Sequence, residues 1–216
     1  MNARLFFYNF ITILLLSLST TAQTVVEDRI AFTTIDAPWL VMLDGENYDL
    51  RNVKIKPDGK SAYFLLSNRV NGLNVSLFIE PAVKCKTSKE CRDFVWKTGN
   101  PLWIDLQNVV KSKIRDISYF EFFRPTVKDR PLQVFDMYAQ FVENDYWVDL
   151  HISKVQYKKE DHFLFESLVK SIKFISKNGK PTTNSDKLIE AVEKSVEDWA
   201  DFWDAGKYEE SYRLLS

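Results

Sequence analysis

Between residues 48 and 155, apolar and polar side chains alternate in seven runs: Tyr48–Lys56, Ser61–Ser67, Leu73–Glu80, Val109–Ile114, Ile117–Phe123, Leu132–Val142 and Trp147–Val155. A period of two sends successive side chains to opposite faces of an extended strand, so this pattern commits the chain to sheet. Pro57-Asp58-Gly59, Asn71-Gly72 and Glu143-Asn144-Asp145 fall between runs. Their residues tolerate the backbone of tight turns, which predicts hairpins and therefore antiparallel neighbours. Two segments break the period. Thr87 to Thr98 carries Phe94, Val95 and Trp96, and Lys159 to Ile172 carries Phe163, Leu164, Leu168 and Val169 at helical spacing. Two well-separated helices among hairpins, without strict alternation of strand and helix, predict an α+β fold.

The N-terminus reads as a targeting segment. Arg4 precedes the apolar run Phe10 to Leu18, and Thr20 and Ala22 occupy positions −3 and −1 of a cut before Gln23. This is the layout of a cleaved secretory signal peptide over residues 1–22, and the run is shorter than the ~20 apolar residues of a spanning helix. No later stretch is apolar enough to span, so the expected mature chain is exported, periplasmic or secreted. The whole chain has 29 basic and 30 acidic residues. A net charge of −1 offers no global attraction to nucleic acid or anionic membranes. Export makes a bridge between Cys85 and Cys91 the expected state of the two cysteines. Thr87 and Glu90 form a capping box, which places Cys91 in the first helical turn and Cys85 just outside it. The bridge then staples the helix start to the preceding strand. The spacing is not that of a redox C-x-x-C motif, and two thiols without nearby histidines do not close a zinc site.

Chemistry-bearing patterns are sparse. The chain has two histidines, His151 and His162. Asp149, His151 and Ser153 share one face of their strand with Trp147, which suggests a ligand face. A catalytic triad is disfavoured, because same-face neighbours on one strand stand about 6.7 Å apart and nucleophile and base must approach to about 3.2 Å. The expectation is a polar sheet face with Trp147 under a helix. Lys84, Lys86, Lys89, Arg92 and Lys97 surround the first helix and are expected to form a solvated face. Tyr119-Phe120-Glu121-Phe122-Phe123 reads as a strand buried on both sides. Phosphate-binding glycine motifs are absent, so no nucleotide cofactor and no metal are expected.

The order of elements resembles a PsbP-like domain over about residues 30 to 175. Ala37-Pro38-Trp39 opens it, hairpin strands end in Asn74-Val75-Ser76-Leu77-Phe78-Ile79, and Ser167-Leu168-Val169-Lys170-Ser171-Ile172-Lys173-Phe174 closes it. The resemblance implies an antiparallel sheet with helices on both faces, an α/β/α sandwich, in a family known for binding and assembly.

Residues 176–184 are polar, with Gly179 and Pro181, and read as a linker. Residues 185–216 hold 9 acidic and 4 basic side chains, net −5. Leu188, Val192, Val196, Trp199 and Trp203 recur at helical spacing, and a second helix is expected from Tyr208, giving a C-terminal helical hairpin. Its Asp204-Ala205-Gly206-Lys207-Tyr208 turn resembles the opening of an exported bacterial domain family with a nuclear-transport-factor-like cone fold, which leaves three expectations open: a truncated domain, a hairpin packed on the first domain, or a hairpin docked on another protein. Such a stripe needs a partner, so Trp199, Trp203, Tyr208 and Tyr212 are the candidate contact with another exported or envelope protein. The functional expectation is a non-enzymatic module for partner binding or envelope assembly. The alternative is a small-molecule binder or hydrolase at Asp149, His151 and Ser153.

Overall fold

A computed structural model describes residues 24–26, 29–99 and 106–177 of the chain. The expected signal peptide, most of the linker and the C-terminal hairpin with Trp199, Trp203, Tyr208 and Tyr212 lie outside the described residues.

Eleven strands and two α-helices follow one another in the described chain: β1 (Thr24–Val26), β2 (Arg29–Phe32), β3 (Trp39–Asp44), β4 (Tyr48–Ile55), β5 (Ala62–Asn68), β6 (Asn74–Pro81), α1 (Ser88–Gly99), β7 (Gln107–Ile114), β8 (Ile117–Arg124), β9 (Val134–Glu143), β10 (Tyr146–Lys154), α2 (His162–Ser171) and β11 (Lys173–Ser176). Seven strands form one antiparallel sheet in the order β4-β5-β6-β10-β9-β8-β7. It consists of two meanders, β4-β5-β6 and β7-β8-β9-β10, joined along β6 and β10. The expected hairpins are present. Gly59 and Gly72 have φ of 66° and 73°, a backbone that costs glycine little. Asn144 and Asp145 both have positive φ, so the β9–β10 turn twists with its strands.

The main core lies on the inner face of this sheet. Phe64, Leu66, Val75, Leu77, Ile79, Met137, Ala139, Phe141, Val148, Leu150 and Ile152 point there at alternate positions and are buried. Their cover differs from a layer of helix alone. A second, four-stranded sheet in the order β1-β2-β3-β11 packs on this face beside α2. The runs Ile30-Ala31-Phe32 and Leu40-Val41-Met42-Leu43 are apolar at every position, and all their residues are buried, so they lack the alternation that marks a half-exposed strand. Phe32 meets Phe64 with ring centres 4.9 Å apart, and Trp39 meets Phe174 edge-on at 5.1 Å. The Trp39 indole N–H donates to the Glu143 carbonyl at 3.0 Å, which settles the ring's polar atom inside the core. In α2, Phe165, Leu168 and Val169 are buried, and Phe165 stands edge-on to Phe135 at 5.0 Å.

The fold is α+β and mostly antiparallel sheet, with α1 on the outer face and α2 on the inner. Several element ends shift from the sequence reading. β9 starts at Val134 because the Leu132 and Gln133 carbonyls accept from Gln156 and Tyr157 instead of joining the ladder. Lys159–Asp161 is a separate 3-10 turn, held by the Asp161 carboxylate on the Lys158 N–H at 2.9 Å, and the α-helix starts at His162. Ser176, placed in the linker by composition, ends β11 and pairs with Trp39.

Candidate functional site

On the outer face, the two-residue turn at Asn144-Asp145 sets the β9–β10 register. Val142 stands opposite Trp147, Gln140 opposite Asp149, Tyr138 opposite His151 and Asp136 opposite Ser153. These four cross-strand pairs build a continuous polar and aromatic array. The His151 imidazole donates through Nε2 to Asp136 Oδ1 at 2.8 Å. Arg124, from β8, donates through Nε and a terminal nitrogen to Asp136 Oδ2 at 2.8 and 2.6 Å. Tyr138 stacks on His151 with centroids 4.1 Å apart, and Phe120 stacks on the other flank of Tyr138 at 4.9 Å. Further along, Trp147 Nε1–H donates to Gln140 Oε1 at 2.6 Å, and Gln140 Nε2–H donates to Asp149 Oδ1 at 2.5 Å. Burial raises the Asp149 carboxyl above the usual carboxylate range, and the Gln140 donor opposes that rise. Burial also raises the Tyr138 phenol.

The three candidate residues of β10 therefore share a face as expected, but their polar partners come from other strands. His151 Nε2 is committed to Asp136, not to Ser153. No pattern in the sequence singles out Asp136, Arg124, Tyr138 or Gln140 as site residues. Trp147 lies under α1, edge-on to Phe94 at 5.9 Å, as the sequence pattern predicts.

The start of α1 is tied down as the capping box and the cysteine pair imply. Cys85 and Cys91 form a disulfide with Cα atoms 5.0 Å apart. Thr87 Oγ1 accepts from the Glu90 N–H at 3.2 Å. The reciprocal bond reaches one residue further back than expected, with Glu90 Oε2 accepting from the Lys86 N–H at 2.8 Å. Cys85, Cys91, Ala82 and Trp147 form a small second core under the helix. This anchored turn walls a cleft of about 630 Å³ whose opposite wall is the β7–β8 hairpin. Lys86, Lys89 and Arg92 line one side, and Lys113, Arg115 and Asp116 the other. Asp93 accepts from Arg92 at 2.8 Å, Arg115 donates to the Lys170 carbonyl, and Lys86, Lys89 and Lys113 face the cleft without an ion pair among the described residues. Of the basic cluster expected as an open helix face, Lys86, Lys89 and Arg92 thus line a concave surface, while Lys84 pairs with Glu80 at 3.4 Å and Lys97 does not line the cleft.

A second cavity, about 720 Å³, opens on the inner face between β7, β8 and the start of α2. Its walls include Phe123, Phe135 and Tyr157, with Glu121 and His162 as its inner ionisable groups. The aromatic run of β8 is buried on both sides from Tyr119 to Phe122, as its sequence predicts. Glu121 points to the inner face, where burial raises its carboxyl above the usual range. His162 Nε2 lies 3.9 Å from Glu121 Oε2 and 3.7 Å from Glu166 Oε1. The signal that could have found this cavity is a glutamate at a core-facing position of a strand otherwise lined there by Ile117, Tyr119 and Phe123.

Among the described residues, no group of three or more His, Cys, Asp or Glu side chains stands close enough to hold a metal ion. Within the same residues, no helix is long and apolar enough to cross a membrane.

No protein-family model matches the chain, and no curated protein matches it. Among solved structures, it is similar to cyanobacterial PsbP (CyanoP) from Synechocystis sp. PCC 6803, at a TM-score of 0.46 and 10% sequence identity. The match covers 70% of this chain and 95% of that one. A likeness of this degree carries neither residues nor activity from one chain to the other.

Proposed function

We propose that this protein is an exported, non-enzymatic module that binds an acidic surface of another exported or envelope protein. The observation that carries the reading is the cationic cleft between α1 and the β7–β8 hairpin. A chain of net charge −1 concentrates Lys86, Lys89, Lys113 and Arg115 around one concavity, and such a cluster steers and orients an acidic partner. The Cys85–Cys91 disulfide supports it by fixing the wall on which Lys86 and Lys89 stand, so less order has to be gained on binding. A disulfide is also in keeping with an oxidising compartment. The tryptophan-bearing residues 185–216 supply a second, apolar contact in this proposal, through Trp199, Trp203, Tyr208 and Tyr212.

Crosslinking capture from the native envelope tests the reading. The mature protein is compared with a Lys89→Glu/Lys113→Glu variant and a Trp199→Ala/Trp203→Ala variant. The expected result is one specific protein captured by the parent, weakened by rising salt and lost in the charge-reversed variant. Loss in the tryptophan variant alone would move the contact to residues 185–216. A partner retained by both variants, or a nucleic acid recovered in its place, would sink the proposal.

A further inference from the structure

We propose that the inner-face cavity around Glu121 binds an organic cation, a primary ammonium group carried on an aromatic or branched apolar body. The site is distinct from the cationic cleft and does not depend on it. Glu121 occupies a core-facing position on β8, opposite Val110 on one side and Met137 on the other. It is 8% exposed, and its Oε2 has no hydrogen-bond partner among the described residues. A buried carboxylate oxygen without a donor is costly, and retaining one beside a cavity points to a donor that arrives from outside. His162 Nε2, at 3.9 Å, is too far to serve as that donor.

The walls define the rest of the ligand. Phe135 and Tyr157 stack at 4.4 Å, and Phe123 tilts against Tyr157 at 6.3 Å, giving an apolar aromatic lining beside the carboxylate. The volume of about 720 Å³ suits a small organic molecule. The mouth lies at the edge strand β7, where the pairing shifts between Gln107 and Val110 and Asn108 adopts φ of 53°. Such a bulge turns the edge strand away from its neighbour and opens the approach to Glu121. Lys159 also lines the cavity, but it is exposed, so its ammonium can extend into water. A ligand carboxylate would meet Glu121 as a like charge, whereas an ammonium would pair with its carboxylate, which can turn about its last side-chain bond, and pack its apolar body on the aromatic wall.

The test titrates the mature protein with phenethylammonium, 2-phenylethanol and phenylacetate, read by calorimetry and by ring resonances of Phe and Tyr. Saturable binding of phenethylammonium is expected, at least about tenfold tighter than the alcohol, with phenylacetate weaker still. Glu121→Gln, of the same shape, should lose about tenfold in affinity for the amine while its thermal unfolding stays cooperative. Val110→Trp, at the exposed edge-strand position opposite Glu121, should fill the mouth and abolish binding with the carboxylate itself retained. Absence of saturable binding at millimolar amine would overturn the proposal. So would equal affinity for the alcohol or the carboxylate, or full amine affinity in Glu121→Gln.

Discussion

Asp136 and Glu121 are two carboxylates on neighbouring strands, on opposite faces of the same sheet, and each is withdrawn from water. Asp136 is fully buried and closed: Arg124 donates to one oxygen and His151 to the other. Glu121 is nearly as buried and lines a cavity, with Oε2 lacking a hydrogen-bond donor among the described residues. Burial is thus common to both, and pairing separates them. A satisfied buried carboxylate organises the side chains that surround it, while an orphaned one marks a place where the fold has left a bond to be made. The histidine that looks more catalytic in the sequence, His151, belongs to the closed arrangement, and the less conspicuous His162 stands beside the open one.

The largest effect expected from this contrast is on Asp136. Asp136→Ala removes the shared acceptor of Arg124 and His151 and should destabilise the protein by about 3 kcal/mol in urea unfolding. An unchanged midpoint would show that the outer-face array is ornamental to stability, and the contrast would collapse. Glu121 should respond with the opposite sign. Glu121→Leu takes away a carboxylate that is buried without a donor and should stabilise the protein by about 1 kcal/mol at neutral pH. Because burial raises the Glu121 carboxyl, the folded state holds its proton more tightly than the unfolded chain does. Its contribution to stability therefore falls as pH rises from the ordinary carboxylate value, about 4.3, to the raised one, and is level above it. That part of the slope should vanish in Glu121→Leu, while the part owed to Asp149, shifted in the same direction, should persist.

The smallest effect sharpens the comparison with a third carboxylate. Glu166 is partly exposed and accepts from Lys170 at 2.6 Å, one turn along α2. That hydrogen bond draws the Glu166 carboxyl below its usual range, the reverse of Glu121. Glu166→Gln should cost only about 0.3 kcal/mol in low salt, and the difference should disappear near 1 M salt. A loss as large as that at Asp136 would show that exposure does not screen this pair.

Much of the outer-face geometry is legible in the linear chain. The turn at Asn144-Asp145 fixes the hairpin register, so counting outward from it pairs Asp149 with Gln140 and His151 with Tyr138. The diagonal neighbour of His151, Asp136, follows from the same count. Arg124 does not, because β8 and β9 are joined through residues 125–133, whose length leaves the register open. The capping box and the cysteine pair are legible for the same reason as the hairpin: all their atoms lie within a few residues. The second sheet is not. Ile30–Phe32 and Leu40–Leu43 are apolar without a period, and β11 finds β3 from the far end of the described chain. The bulge at Gln107 to Val110 likewise depends on where β8 stops, not on any local residue pattern.

By itself, then, the sequence determined the strands of the two meanders, the turns within them, the sidedness of β10 and the stapled start of α1. Each rests on period, turn chemistry or capping, interactions whose partners are close along the chain and cost little entropy to bring together. The tertiary structure alone decided that β6 and β10 join the meanders, that a second sheet covers the inner face, and that Asp136 is matched with Arg124 while Glu121 Oε2 has no hydrogen-bond donor among the described residues. Those outcomes follow from which distant apolar surfaces bury one another. A polar side chain carried along by that packing finds its partners, or a cavity, wherever the packing leaves it.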